Sequence, residues 1–446
     1  VLTKKKRVAS FKMSSRPLLS SLVDKFSGIA KVPGDKSISH RSLILSSQVI
    51  GRSKITGLLE SDDVINTSQA LSALGVEIEK DNDVWYVDGV GIGGLSQSDE
   101  VLDMGNSGTG VRLMMGLVAP YPFTTSFTGD ESLQKRPMGR VMKPLEKMGA
   151  IFQAREENLP PLSVKGSNYM VPITYELPVA SAQVKSAILL AALNIPGKTT
   201  VVEPEATRDH TELMMKYLGV NIKREGQSIS IEGQPELKAK DINVPADPSS
   251  AAFLTVAALI IPGAKITIKN VCVNPLRIGL YKTLTEMGAK ISFDNEREEA
   301  GEKIADITVQ YSKLKAVDVP AGRAPSMIDE YPILSVAAAF ADGKTIMNGL
   351  RELRVKESDR LQVMSDGLTA CGIKNEISGD SLIVHGSKEI KGGGDIKTHM
   401  DHRIAMSFLV MGMAAKKPIK VDDGSMINTS FPGFVDLMNS LGARIT

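Results

Sequence analysis

Leu74-Gly75-Val76-Glu77-Ile78 ends a helical pattern on a glycine and then alternates apolar with polar residues, and related stretches occur six times in this chain. The others are Met148-Gly149-Ala150-Ile151-Phe152, Leu218-Gly219-Val220-Asn221-Ile222, Met287-Gly288-Ala289-Lys290-Ile291, Cys371-Gly372-Ile373 and Leu441-Gly442-Ala443-Arg444-Ile445. Glycine just past a last helical turn is a C-cap signal, and alternation after it predicts a strand. The copies recur at roughly 70 residues, longer than solenoid periods, so each unit holds more than one supersecondary element.

The rest of each unit is a second helix, rich in small residues and opening on a polar cap. Its six starts are Lys36-Ser37, Asn106-Ser107-Gly108-Thr109, Ala180-Ser181-Ala182-Gln183, Asp247-Pro248-Ser249-Ser250, Asp329-Glu330-Tyr331-Pro332 and Asp401-His402-Arg403. Two helices alternating with strands, six times over, predict an α/β fold of two domains with three units each. Junctions near Pro33-Gly34 and Val244-Pro245-Ala246 assign residues 1–34 plus 246–446 to one domain and 35–245 to the other. The chain then crosses twice between them, leaving a cleft that can close on a ligand.

At 446 residues the chain is long enough for two cores. With 53 Lys and Arg against 51 Asp and Glu, it lacks the basic field of a nucleic-acid binder. Aromatics are 4 % of the residues, and the single Trp85 sits in the strand-like Val84-Trp85-Tyr86-Val87, which argues against base stacking. Two cysteines, Cys272 and Cys371, suit a reducing, cytoplasmic setting. Apolar runs such as Ala251–Pro262 fall short of the ~18 to 20 residues that span a bilayer, so no membrane association is expected. The basic start Val1–Arg7 lacks the apolar run of a secretory signal and reads as a flexible arm.

Preference for anions must therefore be local, and the helix starts supply it. In Gly34-Asp35-Lys36-Ser37-Ile38-Ser39-His40-Arg41, Ser37 is the expected cap. Lys36 and Arg41 bring cations to the free amides of a helix N-terminus, with Arg41 one turn beyond Ser37. The stretch Asp103–Arg112, with Gly105-Asn106-Ser107-Gly108-Thr109 at its centre, opens another helix and reads either as a cradle for a carboxylate or phosphate or as a tight strand-to-helix turn. Arg136 stands before Pro137, a common first helical residue. Ser181 and Gln183 read either as ordinary caps or as hydroxyl and amide donors to a polar ligand. Arg208 reads either as part of an internal ion pair or as facing a ligand. In Arg354-Val355-Lys356-Glu357-Ser358-Asp359-Arg360, helical geometry would put Lys356 and Arg360 on one face with Glu357 beside Arg360. A carboxylate held among cations near a reacting carbon is a candidate proton-transfer group. The glycines of Gly89–Gly94 do not have dinucleotide-fold spacing, and His399 and His402 have no evident third partner for a metal.

Taken in order, these motifs resemble the 5-enolpyruvylshikimate-3-phosphate synthase family over residues 14 to 446. The resemblance rests on Gly34–Arg41, Gly105–Thr109, Arg136-Pro137-Met138-Gly139, Ser181-Ala182-Gln183, Asp329–Pro332, Arg354–Leu361 and Asp401-His402-Arg403. It implies the two-domain enolpyruvyl transferase fold, an inside-out α/β barrel of three βαβαββ repeats per domain. It also implies transfer of the enolpyruvyl group of phosphoenolpyruvate to the 5-hydroxyl of shikimate 3-phosphate with release of phosphate. Lys36, Ser37, Arg41, Ser181, Ala182, Gln183, Arg208, Asp329 and Lys356 would hold shikimate 3-phosphate. Lys36, Gly108, Arg136, Gln183, Arg360 and Arg403 would surround phosphoenolpyruvate. Glu357 is the expected group for the methylene proton, Asp329 for the hydroxyl proton, and Lys36 for assisting phosphate departure. No metal or organic cofactor, and a monomer, are expected.

Two positions depart from part of that family. Ala182 stands where many members have serine and Thr429 where many have lysine, which resembles the second, bacterial class of these synthases. Members of that class that tolerate the inhibitor glyphosate commonly carry alanine where this chain has Gly108, so glyphosate sensitivity is expected here. The nearest rival is the UDP-N-acetylglucosamine enolpyruvyl transferase, which usually has a cysteine ahead of the Arg136 position, where this chain reads Leu133-Gln134-Lys135. A non-catalytic repeat scaffold and a nucleic-acid-binding relative are the readings from other classes.

Overall fold

A computed structural model describes residues 16–446. The basic stretch Val1–Arg7 lies outside the described residues.

One unit serves for all six. Strand Leu102–Asp103 leads into helix Gly108–Val118 and strand Thr124–Thr128; helix Gly139–Met148 and the antiparallel pair Ile151–Arg155 and Leu159–Lys165 complete it. The first strand runs parallel to the second (Leu102 opposite Phe127). The second is antiparallel to the last, and the last is antiparallel to the third. Strand order repeats in four further four-stranded sheets, and a three-stranded sheet stands in the sixth place. The six C-cap glycines, from Gly75 to Gly442, all have φ between 81° and 118°, which side chains other than glycine adopt only with strain.

Three sheets are completed by strands distant in sequence, each within its own half. Ser27–Ala30 pairs in parallel with Lys265–Ile268, while Ile242–Asn243 pairs in parallel with Ile55–Thr56. Leu18–Ser20 completes the sixth sheet beside Ile419–Val421. The two crossing segments meet antiparallel, with Asp35 N–H donating to Pro245 O (2.7 Å) and Asp247 N–H to Pro33 O (2.9 Å).

The buried apolar residues accordingly form two clusters. One runs from Ile38 to Val244 and takes in Cys272; the other joins Leu18, Val23, Phe26, Ala30 and Val32 to residues from Ala246 onward. At their centres are the small-residue helices, which are buried on every side. All thirteen residues of Pro248–Ile260 and all nine of Tyr331–Ala339 are buried. Small side chains permit this, since a Cβ on Gly116 would overlap the Ala187 carbonyl of the neighbouring helix Ala182–Ala192. Helices without a polar face cannot be surface helices, so sheets and outer helices must wrap them. Trp85 lies in strand Val84–Val90, buried, its indole N–H bonded to Glu60. Among the described residues, no helix is long and apolar enough to cross a membrane.

Candidate active site

Charged side chains at the starts of the inner helices meet between the two clusters, where Arg208 reaches Asp329 at 2.7 Å; this meeting place is the groove. Helix Lys36–Ser47 is capped by Asp35, whose carboxylate accepts from Ile38 N–H at 2.8 Å; the expected cap, Ser37, is instead the second helical residue. With Asp35 as the cap, the Ser37 hydroxyl is not needed to satisfy the first helical amides. Lys36 pairs with the buried Asp63. Burial pushes the Asp63 carboxyl up despite that lysine. Arg41 is buried, and its three nitrogens donate to Ser37 O (2.9 Å), Thr211 Oγ1 (2.6 Å) and Ser186 Oγ (2.8 Å). All three acceptors are neutral, so its charge has no carboxylate in direct contact. Burial lowers its pKa to about 10, leaving it protonated at neutral pH.

Helix Gly108–Val118 repeats the plan, with Ser107 Oγ accepting from Gly110 N–H. Arg136 precedes the helix rather than opening it. It closes a 3₁₀ turn at Leu133–Lys135, and the α-helix starts at Gly139, because the extended backbone of Arg136 is what a following proline favours. Its guanidinium donates to Asn106 Oδ1 and Ser132 Oγ, both at 2.9 Å, again neutral partners. Gln183 spans two helices, its amide donating to Thr109 Oγ1 (2.9 Å) and its carbonyl accepting from Arg112 (2.9 Å). Ser181 caps its own helix, Ala182–Ala192.

The second cluster contributes most of the carboxylates. Asp329 stands just ahead of helix Tyr331–Ala339 and meets Arg208 (2.7 Å), Arg360 (3.3 Å) and Lys356 (3.5 Å). Burial pushes its carboxyl up, but Lys356, Arg208, Arg403 and Arg360 outweigh burial and hold it well below the usual carboxylate range. The segment around Glu357 is not helical as expected. Arg351–Val355 is a 3₁₀ turn, Lys356–Ser358 is a bend, and a new helix starts at Arg360 on the Asp359 cap. Glu357 still contacts Arg360, Oε2 to Nη2 at 2.5 Å, an ion contact without an aligned hydrogen bond. Burial raises Glu357, yet Arg360, Arg136, His402 and Lys356 together keep it below its ordinary value.

Arg360 is fully buried and central. It touches Asp329 with Nη1, Glu357 with Nη2, and Asp401 with Nε at 2.8 Å. Asp401 is also the cap of helix His402–Gly412, accepting from Arg403 N–H. Arg403 in turn donates to Asp329 O at 3.1 Å. The groove thus gathers eight cations (Lys36, Arg41, Arg112, Arg136, Arg208, Lys356, Arg360, Arg403) against five carboxylates (Asp63, Asp329, Glu330, Glu357, Asp401). Such a site suits polyanionic ligands, with carboxylates available for proton transfer.

Four members of this set were not expected: Arg112, Asp63, Glu330 and Asp401. Arg112 had a legible signal, since it lies four residues after Gly108 as Arg41 does after Ser37. Asp63 and Asp401 act through partners distant in sequence. Thr429 lies in a 3₁₀ turn, its hydroxyl donating to Met426 O. Among the described residues, no three His, Cys, Asp or Glu side chains converge as metal ligands.

Residues 22–438 match the family described as EPSP synthase (3-phosphoshikimate 1-carboxyvinyltransferase). The chain belongs to the EPSP synthase family. It is 58 % identical over 439 residues to the 3-phosphoshikimate 1-carboxyvinyltransferase of Paramagnetospirillum magneticum, covering 97 % of this chain and 98 % of that one. Identity to the Bradyrhizobium diazoefficiens protein of the same name is 52 % over 451 residues, covering 100 % of this chain and 96 % of the other. A solved EPSP synthase from Acinetobacter baumannii superposes with a TM-score of 0.87 at 44 % identity, covering 96 % of this chain and 99 % of that one. The two-domain enolpyruvyl transferase fold is therefore that of the EPSP synthases, and the matched span contains every groove residue named above.

Proposed function

We propose that the groove between the two clusters is where this chain, a 3-phosphoshikimate 1-carboxyvinyltransferase by family, moves the enolpyruvyl group of phosphoenolpyruvate to the 5-hydroxyl of shikimate 3-phosphate. The observation that carries this reading is that Asp329 and Glu357 contact the two ends of one buried guanidinium, Arg360, in a cation-rich groove. Lys36, Ser37, Arg41, Ser181, Ala182, Gln183, Arg208, Asp329 and Lys356 hold shikimate 3-phosphate. Lys36, Gly108, Arg136, Gln183, Arg360 and Arg403 surround phosphoenolpyruvate, and Arg112 supports both through Gln183. Arg41 and Arg136 suit anions because their present partners are neutral; Arg208 and Lys356 have Asp329 to share.

The chemistry is addition followed by elimination. In the addition, the 5-hydroxyl oxygen bonds to C2 of phosphoenolpyruvate, its proton passes to Asp329, and a proton from Glu357 makes the C3 methylene a methyl. In the elimination, the C2–O bond to phosphate breaks with Lys36 stabilising the leaving group, and C3 returns a proton to Glu357. Glu357 is ionised while Arg360, Arg136 and Lys356 lack ligand anions. Bound phosphate and carboxylate groups offset those cations and raise its pKa, so substrate binding itself arms the acid.

Residues 1–34 plus 246–446 and residues 35–245 form the two domains of a cytoplasmic, monomeric enzyme of the second class, a subtype supported by Ala182 and Thr429. The UDP-N-acetylglucosamine alternative is disfavoured because the turn Leu133–Lys135 has no cysteine and both cysteines are buried elsewhere. Phosphate release from phosphoenolpyruvate is the test, with each acceptor offered in turn. Release with shikimate 3-phosphate alone is expected; release with the nucleotide sugar alone, or with neither, overturns the reading.

A further inference from the structure

Where the two crossing segments meet, five ionisable side chains lie buried: Asp35, His210, Asp247, Arg277 and Glu302, none more than 6 % exposed. None of them has a part in the reaction above. Arg277 is the centre. Its Nη1 donates to Asp35 Oδ2 at 2.8 Å and lies 3.2 Å from His210 Nε2; its Nη2 donates to Ser249 Oγ at 3.0 Å and reaches Asp247 Oδ1 at 3.3 Å. His210 Nδ1 sits 2.6 Å from Glu302 Oε1, and Asn274 donates to both Glu302 (3.1 Å) and Asp209 (2.8 Å).

The two aspartates are not incidental partners. Asp35 caps helix Lys36–Ser47 and Asp247 caps helix Pro248–Ile260, so one guanidinium holds the leading helix of each cluster by its cap. Asp247 also reaches across to the other helix, its Oδ2 lying 3.4 Å from the Lys36 N–H. A buried ion network is a poor way to gain stability, since desolvation offsets most of its attraction and apolar packing of equal volume often does as well. What it does supply is direction, because a planar fork accepts its two carboxylates in few geometries.

We infer that Arg277 is a positioning residue of this enzyme: through Asp35 and Asp247 it fixes the N-terminus that carries Lys36 and Ser37 against the second cluster, without touching substrate. The inference rests on the reading that Lys36 and Ser37 hold shikimate 3-phosphate. Lys36 and Ser37 follow the Asp35 cap directly, so a small rotation of that cap displaces both side chains. Losing Arg277 leaves the caps and their buried charges unsupported, and the helix start is then free to turn within the groove.

Steady-state kinetics of the full chain test this, with thermal unfolding measured alongside. Arg277→Met is expected to lower kcat/KM for shikimate 3-phosphate about 10- to 100-fold, whereas in an Asp35→Asn background the same change costs less than about 3-fold, because the two act as one unit. Asparagine keeps the cap acceptor while removing the charge that Arg277 compensates. Equal losses in both backgrounds, or a lowered Tm with parental kcat/KM, overturn the proposal. Should Arg277→Met fail to fold, Arg277→Lys takes its place: one ammonium cannot fork to both caps, so a loss of about 3- to 10-fold is expected and parental kcat/KM is disqualifying. Lys36→Met separates the two levels. If it stays active, the reading of the groove is wrong; if it is inactive while folded Arg277 variants are parental, only the positioning role is wrong.

Discussion

Glu357 has the most demanding assignment in the groove, since the cations around it hold it ionised while the chemistry asks it to give a proton. Glu357→Gln and Asp329→Asn should each lower kcat about 10²- to 10⁴-fold while shifting the dissociation constant for shikimate 3-phosphate far less, because proton transfer is expressed in the transition state. Turnover within a few fold of the parent in either variant removes that residue from the mechanism. Gly108 makes a separate prediction. An added Cβ there would lie 3.1 Å from both Arg112 Nη1 and Arg136 Nη1, so alanine must shift two guanidinium ends at the proposed phosphoenolpyruvate site. Glyphosate is longer than phosphoenolpyruvate, and overpacking of about 1 to 3 kcal/mol corresponds to roughly 5- to 150-fold in affinity. Gly108→Ala should therefore raise the glyphosate inhibition constant more than the KM for phosphoenolpyruvate, and equal shifts in both would show that Gly108 is not the determinant. At this scale the sequence made cations at helix starts legible, as with Lys36 and Arg41, but not their partners Asp63, Thr211 and Ser186, which lie far along the chain. Arg112 escaped notice because its partner Gln183 is 71 residues away, and Asp401 because the guanidinium it holds lies 41 residues upstream.

At the scale of elements, the capped helix starts contribute to the acid sensitivity, as does the buried His40 inside helix Lys36–Ser47, held below its ordinary value by burial and by Lys36 and Arg41. His402 opens the helix Asp401 caps, and burial lowers its pKa from 6.5 to about 3. A histidine buried neutral contributes stability above the unfolded value, which is lost as pH falls from about 6.5 toward the folded value, because only the unfolded chain takes up the proton. At Asp35, burial raises the carboxyl but Arg277, His210 and the Ile38 N–H together bring it from 3.8 to about 2, so its share is lost between those values as pH falls. Asp247 moves the opposite way beside the same Arg277, because burial and the Asp35 charge outweigh a more distant guanidinium contact. Urea unfolding across the acid range should show stability declining from about pH 6.5 and again below pH 4, with His402→Gln flattening the upper limb. A parental upper limb in that variant would remove His402 as the cause. The repeated C-cap glycines made the elements themselves readable. The segment Arg354–Arg360 misled because charge spacing of three and four residues suits a helix, whereas here Glu357 meets Arg360 across a bend between a 3₁₀ turn and a helix start.

For the whole molecule, the two halves are joined where the crossing segments meet, Asp35 N–H bonding to Pro245 O and Asp247 N–H to Pro33 O. Ser27–Ala30 and Ile242–Asn243 anchor each crossing segment in a sheet, and the Arg277 network lies between them. Beyond that junction, Arg208–Asp329 and the exposed Arg140–Glu352 pair (3.3 Å) span the groove. Shikimate 3-phosphate should draw the cation-bearing surfaces together, so small-angle scattering is expected to show a smaller radius of gyration at saturation. An unchanged radius would count against closure. Arg140→Ala should weaken closure only slightly, since an exposed pair contributes about 0 to 1 kcal/mol. The central claim is that the groove adds and then removes a proton at C3 of phosphoenolpyruvate while the enolpyruvyl group changes oxygen. Turnover of phosphoenolpyruvate with shikimate 3-phosphate in D₂O, read by mass spectrometry of the product, tests it most directly: deuterium in the enolpyruvyl methylene together with released phosphate is the predicted result, and product without deuterium, or no product, would contradict it.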